Sequence, residues 1–440
     1  MKSFIIIGAG ASGIILAAQL LRRSPESTVR IFERFDRLGA GIAYATENPS
    51  HLLNVRAGNM SAFPDQPDHF FNWLQTNSGS WEPHSFAPRK LYRSYLKYLI
   101  EPDLSADDPR LTVERTGVVD VALKAGRPAV VTETGETFVA DAVILATGNE
   151  AAIAKSASQI TEYWSSNGYF DVPTDAPVAI FGTGLSMVDS VLSLLDSGHR
   201  AEIYAISRRG LLPARHAPAQ VYPVAADDLP VSLGLSKLIR RVRGMMAEAE
   251  KSGFGWRGVM DGLRPHTQHI WAGLPTSQRR SFLRHLRPWW DVHRHRMAPA
   301  VADRIESATD TGQLKIAAGH LVSVRVEGGG MEIRYRPRRS EKFEKLHVAA
   351  VIDCRGGNSR FSTTRNAALI GLMEHGLARP DALDLGLDVT RDLQLLNARG
   401  EPSGPFFAIG PVTKGAFWEV TAVPDIRLQA ERLSGILLEG

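Results

Sequence analysis

Residues 4–13, FIIIGAGASG, decide the fold of this chain. Phe4 to Ile7 is a short apolar run that predicts a buried strand, and the glycines at 8, 10 and 13 predict a tight turn into a helix. The first glycine permits the turn, the second lets backbone N–H groups approach a pyrophosphate, and the third lets helix and strand pack closely. The stretch therefore predicts a dinucleotide at the N-terminus of the helix.

A carboxylate follows at the position that an adenosine requires. The next strand-like run, Val29 to Phe32, ends at Glu33, 20 residues after Gly13, where a carboxylate accepts ribose hydroxyls. NAD and FAD share this fingerprint. Arg34 and the flexible segment around Gly41 favour FAD, because flavoproteins bring such backbone close to the cofactor.

A second strand, glycine turn and helix begins at Pro177. The strand runs to Phe181, and Gly182, Gly184 and Ser186 take the pyrophosphate-binding positions. Met187 stands where a third glycine would be, so we expect this helix and strand to lie further apart.

The strand that follows the second turn indicates which nucleotide binds there. It spans Ala201 to Ile206 and ends in Ser207, Arg208 and Arg209 instead of a carboxylate. Guanidinium groups bind a 2′-phosphate through charge-assisted hydrogen bonds, whereas an acid would repel it. This site therefore predicts NADPH in preference to NADH.

The rest of the chain predicts how two such units are connected. Alternating runs in 111–140 and 313–351 predict β-meanders, and 211–306 has helical spacing. The chain returns towards the first site at Thr147-Gly148 and again at Gly410. We expect an α/β fold with two Rossmann-like dinucleotide-binding domains. The expected FAD-binding domain is 1–175 and 307–440, and the expected NADPH-binding domain is 176–306 with a helical insertion at 211–306.

Composition excludes several other classes of protein. Cys354 is the single cysteine, so an internal disulfide is impossible, and we expect a buried small residue in a cytoplasmic protein. The uncharged run from Phe4 to Leu21 resembles a signal peptide or membrane span, but its three glycines argue against both. We expect no membrane association.

The basic segment 279–296 does not predict a metal or nucleic-acid site. His293 and His295 cannot share a helical face, and the basic run is short and internal. We expect no metal and no nucleic-acid partner, and interpret the segment as helix-surface ion pairing or a contact with NADPH phosphates.

Taken together, the motifs resemble a bacterial FAD/NAD(P)-binding oxidoreductase family that includes FAD-dependent urate hydroxylases and N-hydroxylating flavin monooxygenases. The resemblance covers nearly the whole chain and is carried by Gly8 to Gly13 with Glu33, 51–55 with Met60-Ser61, Gly182 to Asp189, 207–213, 284–291, and Gly410-Pro411 with Trp418-Glu419. It implies FAD, NADPH, molecular oxygen and a small-molecule substrate. Arg56 departs from the small residue or proline expected there, which weakens any inference about substrate.

The resemblance implies a monooxygenase that hydroxylates a nitrogen heterocycle such as urate, or an amine, through a flavin C4a-hydroperoxide. Residues expected to bind FAD are Gly8, Gly10, Ser12, Gly13, Glu33, Arg34, Gly41, Thr147, Gly148, Gly410 and Thr421. Those expected to bind NADPH are Gly182, Gly184, Ser186, Ser207, Arg208 and Arg209. Two segments are expected to form the walls of the flavin pocket: 54–61, with the candidates Asn54, Met60 and Ser61, and 414–421, with the candidates Lys414, Trp418 and Glu419. No residue is assigned as the general acid or base.

Two other functions fit the same motifs. An NADPH-dependent flavin reductase or dehydrogenase would pass electrons on without inserting oxygen, and the lack of a cysteine pair excludes its disulfide-reducing form. A non-enzymatic nucleotide-binding sensor would use the basic segment as a docking face.

Overall fold

A computed structural model describes residues 1–35, 37–104, 110–150, 160–163, 170–356 and 360–439. Its strands are β1 Ser3–Ile7, β2 Thr28–Phe32, β3 Leu111–Glu114, β4 Val118–Lys124, β5 Arg127–Thr132, β6 Thr137–Val139, β7 Ala142–Leu145, β8 Ile160–Glu162, β9 Val178–Phe181, β10 Ile203–Ser207, β11 Leu314–Glu327, β12 Gly330–Pro337, β13 Glu344–Val348, β14 Ala350–Asp353, β15 Gln394–Leu396 and β16 Pro402–Ala408. Its α-helices are α1 Ala11–Arg23, α2 His69–Ser78, α3 Arg89–Tyr98, α4 Leu185–Asp196, α5 Leu235–Lys251, α6 Gly255–Leu263, α7 Thr267–Gly273, α8 Thr276–His285, α9 Arg287–Arg294, α10 Pro299–Asp310, α11 Ala367–Glu374, α12 Lys414–Phe417 and α13 Val423–Glu439.

The first domain is built on a six-stranded sheet in the order β15-β16-β7-β1-β2-β3. Strand β1 lies parallel to β2 and β7 in its centre. Ile6 faces one apolar cluster and Ile5 and Ile7 face another, so both sides of the strand are covered. Helices α1 and α13 pack together on the side of the sheet that Ile6 faces. The antiparallel meander β4-β5-β6 contributes side chains to the apolar cluster on the opposite side.

The second domain is built on a seven-stranded sheet in the order β13-β12-β11-β10-β9-β14-β8. Its central strands β9, β10 and β14 are parallel, and β11-β12-β13 continue it as an antiparallel meander. Both expected meanders are therefore present. The α/β fold class is confirmed.

The sheets correct the expected domain boundary. We expected 307–440 to return to the first domain, but β11 pairs in parallel with β10, and β14 pairs with β9. Strand β8 also joins this sheet, through β14. The second domain thus takes 160–162 and the strands up to Asp353, and the chain returns to the first sheet only at β15 and β16.

A buried polar network joins the two domains. Arg89, at the start of α3, forms an ion pair with Asp189 of α4 at 2.8 Å. The Nε2 atom of His51 lies 2.9 Å from both the Asp189 carbonyl oxygen and the Ser193 hydroxyl. Burial lowers the pKa of His51, and Arg89 lowers it further while Asp189 opposes the shift. These contacts fix α4 of the second domain against the first domain.

Helices dominate the expected insertion. Between residues 211 and 306 the structure forms α5 to α9 and most of α10. These helices enclose their own apolar cluster, to which Leu238, Met260 and Leu263 belong. Helices α5 to α9 thus form a packed subdomain that is inserted between β10 and β11 and contacts α12 through α7.

Candidate functional site

The first glycine loop has the geometry of an anion site. Gly8 has φ +109°, and a Cβ atom at Gly13 would lie 2.0 Å from the Gly8 carbonyl oxygen. No side chain caps the N-terminus of α1 at Gly10, and its first turn carries no acid. Because the first N–H groups of a helix lack intrahelical partners and carry partial positive charge, this end is suited to a phosphate.

The Glu33 carboxylate lies beside this loop. Its Oε2 accepts a hydrogen bond from the Ala9 N–H at 3.0 Å, and its Oε1 accepts one from the Phe35 N–H at 3.0 Å. Each carboxylate oxygen can accept a further hydrogen bond. The side chain is therefore fixed at the end of β2 and can still bind ribose hydroxyls.

Three further segments converge on the loop. The Gly39 N–H donates to the Ala9 carbonyl at 2.9 Å, and a Cβ at Gly41 would lie 3.3 Å from the Gly10 Cα. A Cβ at Gly8 would lie 2.5 Å from the Ala146 carbonyl oxygen. A Cβ at Gly410 would lie only 2.2 Å from the Ser12 hydroxyl oxygen. The predicted residues brought together here are Gly8, Gly10, Ser12, Gly13, Glu33, Gly41, Thr147, Gly148 and Gly410.

Two predicted FAD-binding residues lie less centrally. Arg34 is exposed, and its Nε atom pairs with the Glu133 carboxylate at 3.2 Å in the loop after β5. Thr421 is exposed two positions before α13. Gln429, which the sequence did not suggest, accepts a hydrogen bond from the Gly410 N–H at 3.0 Å and so supports the turn there.

The second glycine loop repeats the first. Gly182 also has φ +109°, and a Cβ there would lie 2.6 Å from the Cys354 carbonyl oxygen. Helix α4 begins after Gly184 with no side-chain cap and no acid in its first turn. A Cβ at Gly184 would meet no atom within 4 Å, so the loop is open on that side. Met187 and the single cysteine Cys354 are buried.

The three polar residues at the end of β10 have different roles. The Ser207 hydroxyl accepts a hydrogen bond from the Gly210 N–H and lies 2.9 Å from the Thr183 hydroxyl, so it holds the loop together. Arg209 donates to the His285 carbonyl at 3.3 Å and lies over Trp289. Arg208 is exposed, and the structure gives it no hydrogen bond or ion pair with any described residue.

Some residues of the first proposed wall of the flavin pocket are buried and stabilise the fold itself. Met60 and Ser61 are fully buried, and the Ser61 hydroxyl donates to the Gln66 carbonyl at 2.6 Å within its own turn. Asn54 lies at the domain boundary, where its carbonyl oxygen is 3.0 Å from His216 Nε2. Burial, with Arg296 nearby, lowers the pKa of His216 to about 4.

The second proposed wall is an aromatic and charged cluster. Trp418 has φ +62°, which is unusual for a bulky residue, and its ring stacks on Trp271 at 4.9 Å between centroids. The Lys414 amine lies 4.9 Å from the Trp418 ring. Burial lowers the pKa of Lys414 to about 8, and Arg287 adds to this effect.

Glu419 is held in a buried ion pair. Its Oε1 accepts a hydrogen bond from Trp290 Nε1 at 3.0 Å, and its Oε2 lies 3.2 Å from Arg294 Nη2. Burial alone would raise the pKa of the Glu419 carboxyl, but Arg294 and His295 hold it below its usual value. Glu419 is therefore an anion that joins the C-terminal segment to α9.

Three charged residues beside this pair were not predicted. Arg264 forms an ion pair with Asp425 at 3.0 Å, and Arg427 donates to the Ser61 carbonyl at 3.2 Å. Burial raises the pKa of Asp425, and Arg264 opposes that shift. These contacts bring both predicted walls to the N-terminus of α13, although the residues lie far apart in the chain and share no motif.

Arginines of the basic segment 279–296 form ion pairs both at the surface and in the interior. Arg287 pairs with Asp291 four positions later on the surface of α9, as expected for a helix-surface ion pair. Arg294 and Arg296 instead pair with buried or half-buried acids, Glu419 and Asp261.

Neither a metal cluster nor a membrane-spanning helix occurs among the described residues. In the described part of the chain, no three His, Cys, Asp or Glu side chains are grouped so that they could hold a metal ion. None of the described helices combines the length and the apolar character needed to cross a membrane.

Comparison with known proteins supports this reading of the first domain. Residues 5–150 match the model of a family described as FAD-NAD(P)-binding. An uncharacterised protein of Mycobacterium tuberculosis is 32% identical over 142 residues, which cover 30% of this chain and 25% of that protein. The uncharacterised protein YdhS of Escherichia coli is 23% identical over 300 residues, covering 57% of this chain and 55% of YdhS. The chain thus spans about a quarter to about half of these relatives.

Solved structures match over the whole chain. The ornithine hydroxylase PvdA of Pseudomonas aeruginosa is 17% identical with a TM-score of 0.63, and covers 100% of this chain and 99% of its own. The cadaverine monooxygenase DfoA of Erwinia amylovora is 13% identical with a TM-score of 0.71, over 100% and 95%. Thioredoxin reductase of Lactococcus lactis is 12% identical with a TM-score of 0.55, over 100% of both chains. The protein therefore has an FAD/NAD(P)-binding domain at residues 5–150 and, over its whole length, the two-domain dinucleotide-binding fold of these flavoproteins.

Proposed function

We propose that this protein is an FAD- and NADPH-dependent monooxygenase that hydroxylates a small molecule, either an amine or a nitrogen heterocycle such as urate. The observation that carries the proposal is the pair of uncapped glycine loops, each opening a helix, with an arginine beside the second that has no hydrogen bond or ion pair to a described residue. Two phosphate-binding loops in one chain fit a protein that brings two dinucleotides together.

The residues around the first loop fit FAD. Backbone from the 39–41 segment, from 146–148 and from Gly410 approaches the loop so closely that side chains at Gly8 or Gly410 would collide with neighbouring atoms. Glu33 would bind the ribose, and the N-terminus of α1 the pyrophosphate. When bound, FAD supplies the hydride acceptor and the site at which oxygen is activated.

The second loop fits NADPH. Arg208 has no partner among the described residues and follows the strand where an adenosine ribose would lie, so its guanidinium is available for a 2′-phosphate. Arg209 lies beside it but contacts α8 and α9, so we assign it the smaller share of the phosphate contact.

Support for oxygen insertion comes from the fold and from the single cysteine. Two proteins of similar structure are an ornithine hydroxylase and a cadaverine monooxygenase. A dithiol-disulfide exchange needs two cysteines, and this chain has one. The chain's own contribution would be to orient the two cofactors and to exclude water, with the buried segments at Ser61 and Trp418 beside the flavin.

The proposal is tested by reducing the purified yellow protein with NADPH without oxygen, then mixing it with oxygenated buffer in a stopped-flow instrument. A monooxygenase should show a transient flavin C4a adduct before oxidised flavin returns. Direct reoxidation with stoichiometric hydrogen peroxide, both with and without candidate substrates, would instead favour a flavin reductase or dehydrogenase. Absence of any flavin would favour a nucleotide-binding sensor.

A further inference from the structure

The helical insertion contains a cavity of ≈390 Å³ between helices α5 to α9. Its wall is apolar except for Arg243, Thr267 and His293. Pockets for small molecules commonly have volumes of about 300–1,000 Å³ and mostly apolar linings. The cavity is thus large enough for a small ligand and has the lining that such ligands need.

Aromatic rings form one side of this cavity. Trp271 stacks on Trp418 with an interplanar angle of 25°, and Phe282 meets Trp418 edge-on at 5.4 Å. Trp289 and Trp290 also line it. Stacked and edge-on ring contacts of this kind favour a ligand that itself contains a flat ring.

Trp418 connects the cavity with the proposed flavin pocket. It lines the cavity, yet it belongs to the segment that follows Gly410, whose turn packs on Ser12 of the first glycine loop. The Trp418 N–H donates to the Lys414 carbonyl at 2.8 Å, and Trp271 Nε1 donates to the Gly415 carbonyl at 2.9 Å. These bonds hold a left-handed backbone that a tryptophan rarely adopts, a strain that is concentrated at functional sites.

We propose that this cavity is the substrate site and that the substrate is an apolar, ring-containing compound with an uncharged nitrogen, such as an aromatic amine or a nitrogen heterocycle, and not a free amino acid. The inference rests on the proposed function and specifies its substrate class. Among the described residues, the wall offers no carboxylate to pair with an ammonium group, and its one guanidinium, Arg243, is exposed. A zwitterion would lose its hydration there without compensation, whereas a ring would lose little.

Calorimetry with two probes tests the inference on the flavin-loaded protein. Indole represents the proposed class, and L-lysine represents the free amino acids. Ile239→Trp fills the cavity from α5, and Val242→Phe is a milder filling in case the first variant does not fold. Ala247→Trp adds the same side chain at an exposed position of α5 outside the cavity and is the control.

We expect indole to bind the wild type and Ala247→Trp equally, and to bind the cavity-filling variants at least about tenfold more weakly, with L-lysine binding none of them. Equal indole binding by all variants, no indole binding, or tighter binding of L-lysine would overturn the inference. Ile239→Trp changing self-association in sedimentation, with no effect on indole, would also overturn it and assign the cavity to a protein interface.

A separate readout keeps this inference apart from the proposed function. NADPH should bleach the flavin in the wild type and in all three variants, because none of the substituted residues belongs to either nucleotide site. If NADPH bleaches the flavin and oxygen then gives the transient C4a adduct, but the indole pattern fails, the substrate class is wrong and the proposed function stands. If indole binds as expected but NADPH leaves the flavin oxidised, the proposed function fails and the cavity is not a monooxygenase substrate site.

Discussion

Replacing Arg208 with alanine should weaken NADPH binding and leave NADH binding nearly unchanged. Arg208 is exposed and makes no hydrogen bond or ion pair with a described residue, so its removal should not destabilise the fold. A hydrogen bond to a charged group contributes about 1.5–3 kcal/mol, and we take the lower end because solvent screens an exposed guanidinium. The expected loss is therefore about tenfold in affinity for NADPH.

The assay is the anaerobic reduction of bound flavin, with the half-saturating concentration of each nucleotide determined by stopped-flow absorbance. Arg240→Ala, an exposed arginine on α5, controls for the loss of one surface charge and should change neither value. An equal loss of affinity for NADPH and NADH in Arg208→Ala, or no loss at all, would refute the assignment of Arg208 to the 2′-phosphate.

Three further changes test the loop, the domain boundary and the buried pair. Gly13→Ala places a Cβ 2.0 Å from a carbonyl oxygen of its own loop, so the purified protein should lose its flavin absorbance, while Gly244→Ala in an open helical position should keep it. His216 has its pKa lowered to about 4, so the unfolded state binds more protons below pH 6.5. The free energy of unfolding should then fall by about 2–3 kcal/mol between pH 6.5 and 4 because of this residue. In His216→Asn the free energy of unfolding, measured with urea, should decrease by that much less over the same pH range. Glu419→Gln leaves Arg294 buried without its anion and should lower the unfolding free energy by about 3 kcal/mol, and a second change, Arg294→Met, should restore part of it; additive losses would contradict the ion pair.

Local geometry explains why both nucleotide loops could be predicted from the sequence. At Gly8 and Gly182 the backbone adopts φ +109°, which favours glycine, and a Cβ at Gly13 would meet the carbonyl oxygen of Gly8 within the same turn, so the backbone of the turn itself requires these glycines. Glu33 is similar, because its position at the end of β2 places it beside the loop. Such short-range requirements leave a visible pattern in the sequence.

The domain boundary could not be predicted in the same way. An alternating run indicates a strand but not the sheet that it joins, because pairing is decided by distant partners. Strand β11 pairs with β10 across the whole helical insertion, and the expectation that it belonged to the first domain was wrong.

The candidate pocket could not be predicted in full either, because its contacts join residues that are far apart in the chain. Ser61 is polar within a conspicuous motif, yet its hydroxyl bonds to its own turn. Arg264 and Asp425 meet across 161 positions, and Glu419 meets Arg294 across 125, so no local spacing could reveal either pair. The apolar cavity likewise depends on helices whose individual sequences indicate only amphipathic packing.

An anaerobic titration of the purified protein with NADPH, followed by the flavin absorbance, tests the proposed function most sharply. The proposed function requires that one chain holds FAD at Gly8 to Glu33 and accepts hydride from NADPH bound at Gly182 to Arg208. It predicts a yellow protein whose flavin is fully bleached by one equivalent of NADPH, and far more slowly by NADH at the same concentration. A protein that binds FAD but stays oxidised with excess NADPH would contradict the claim.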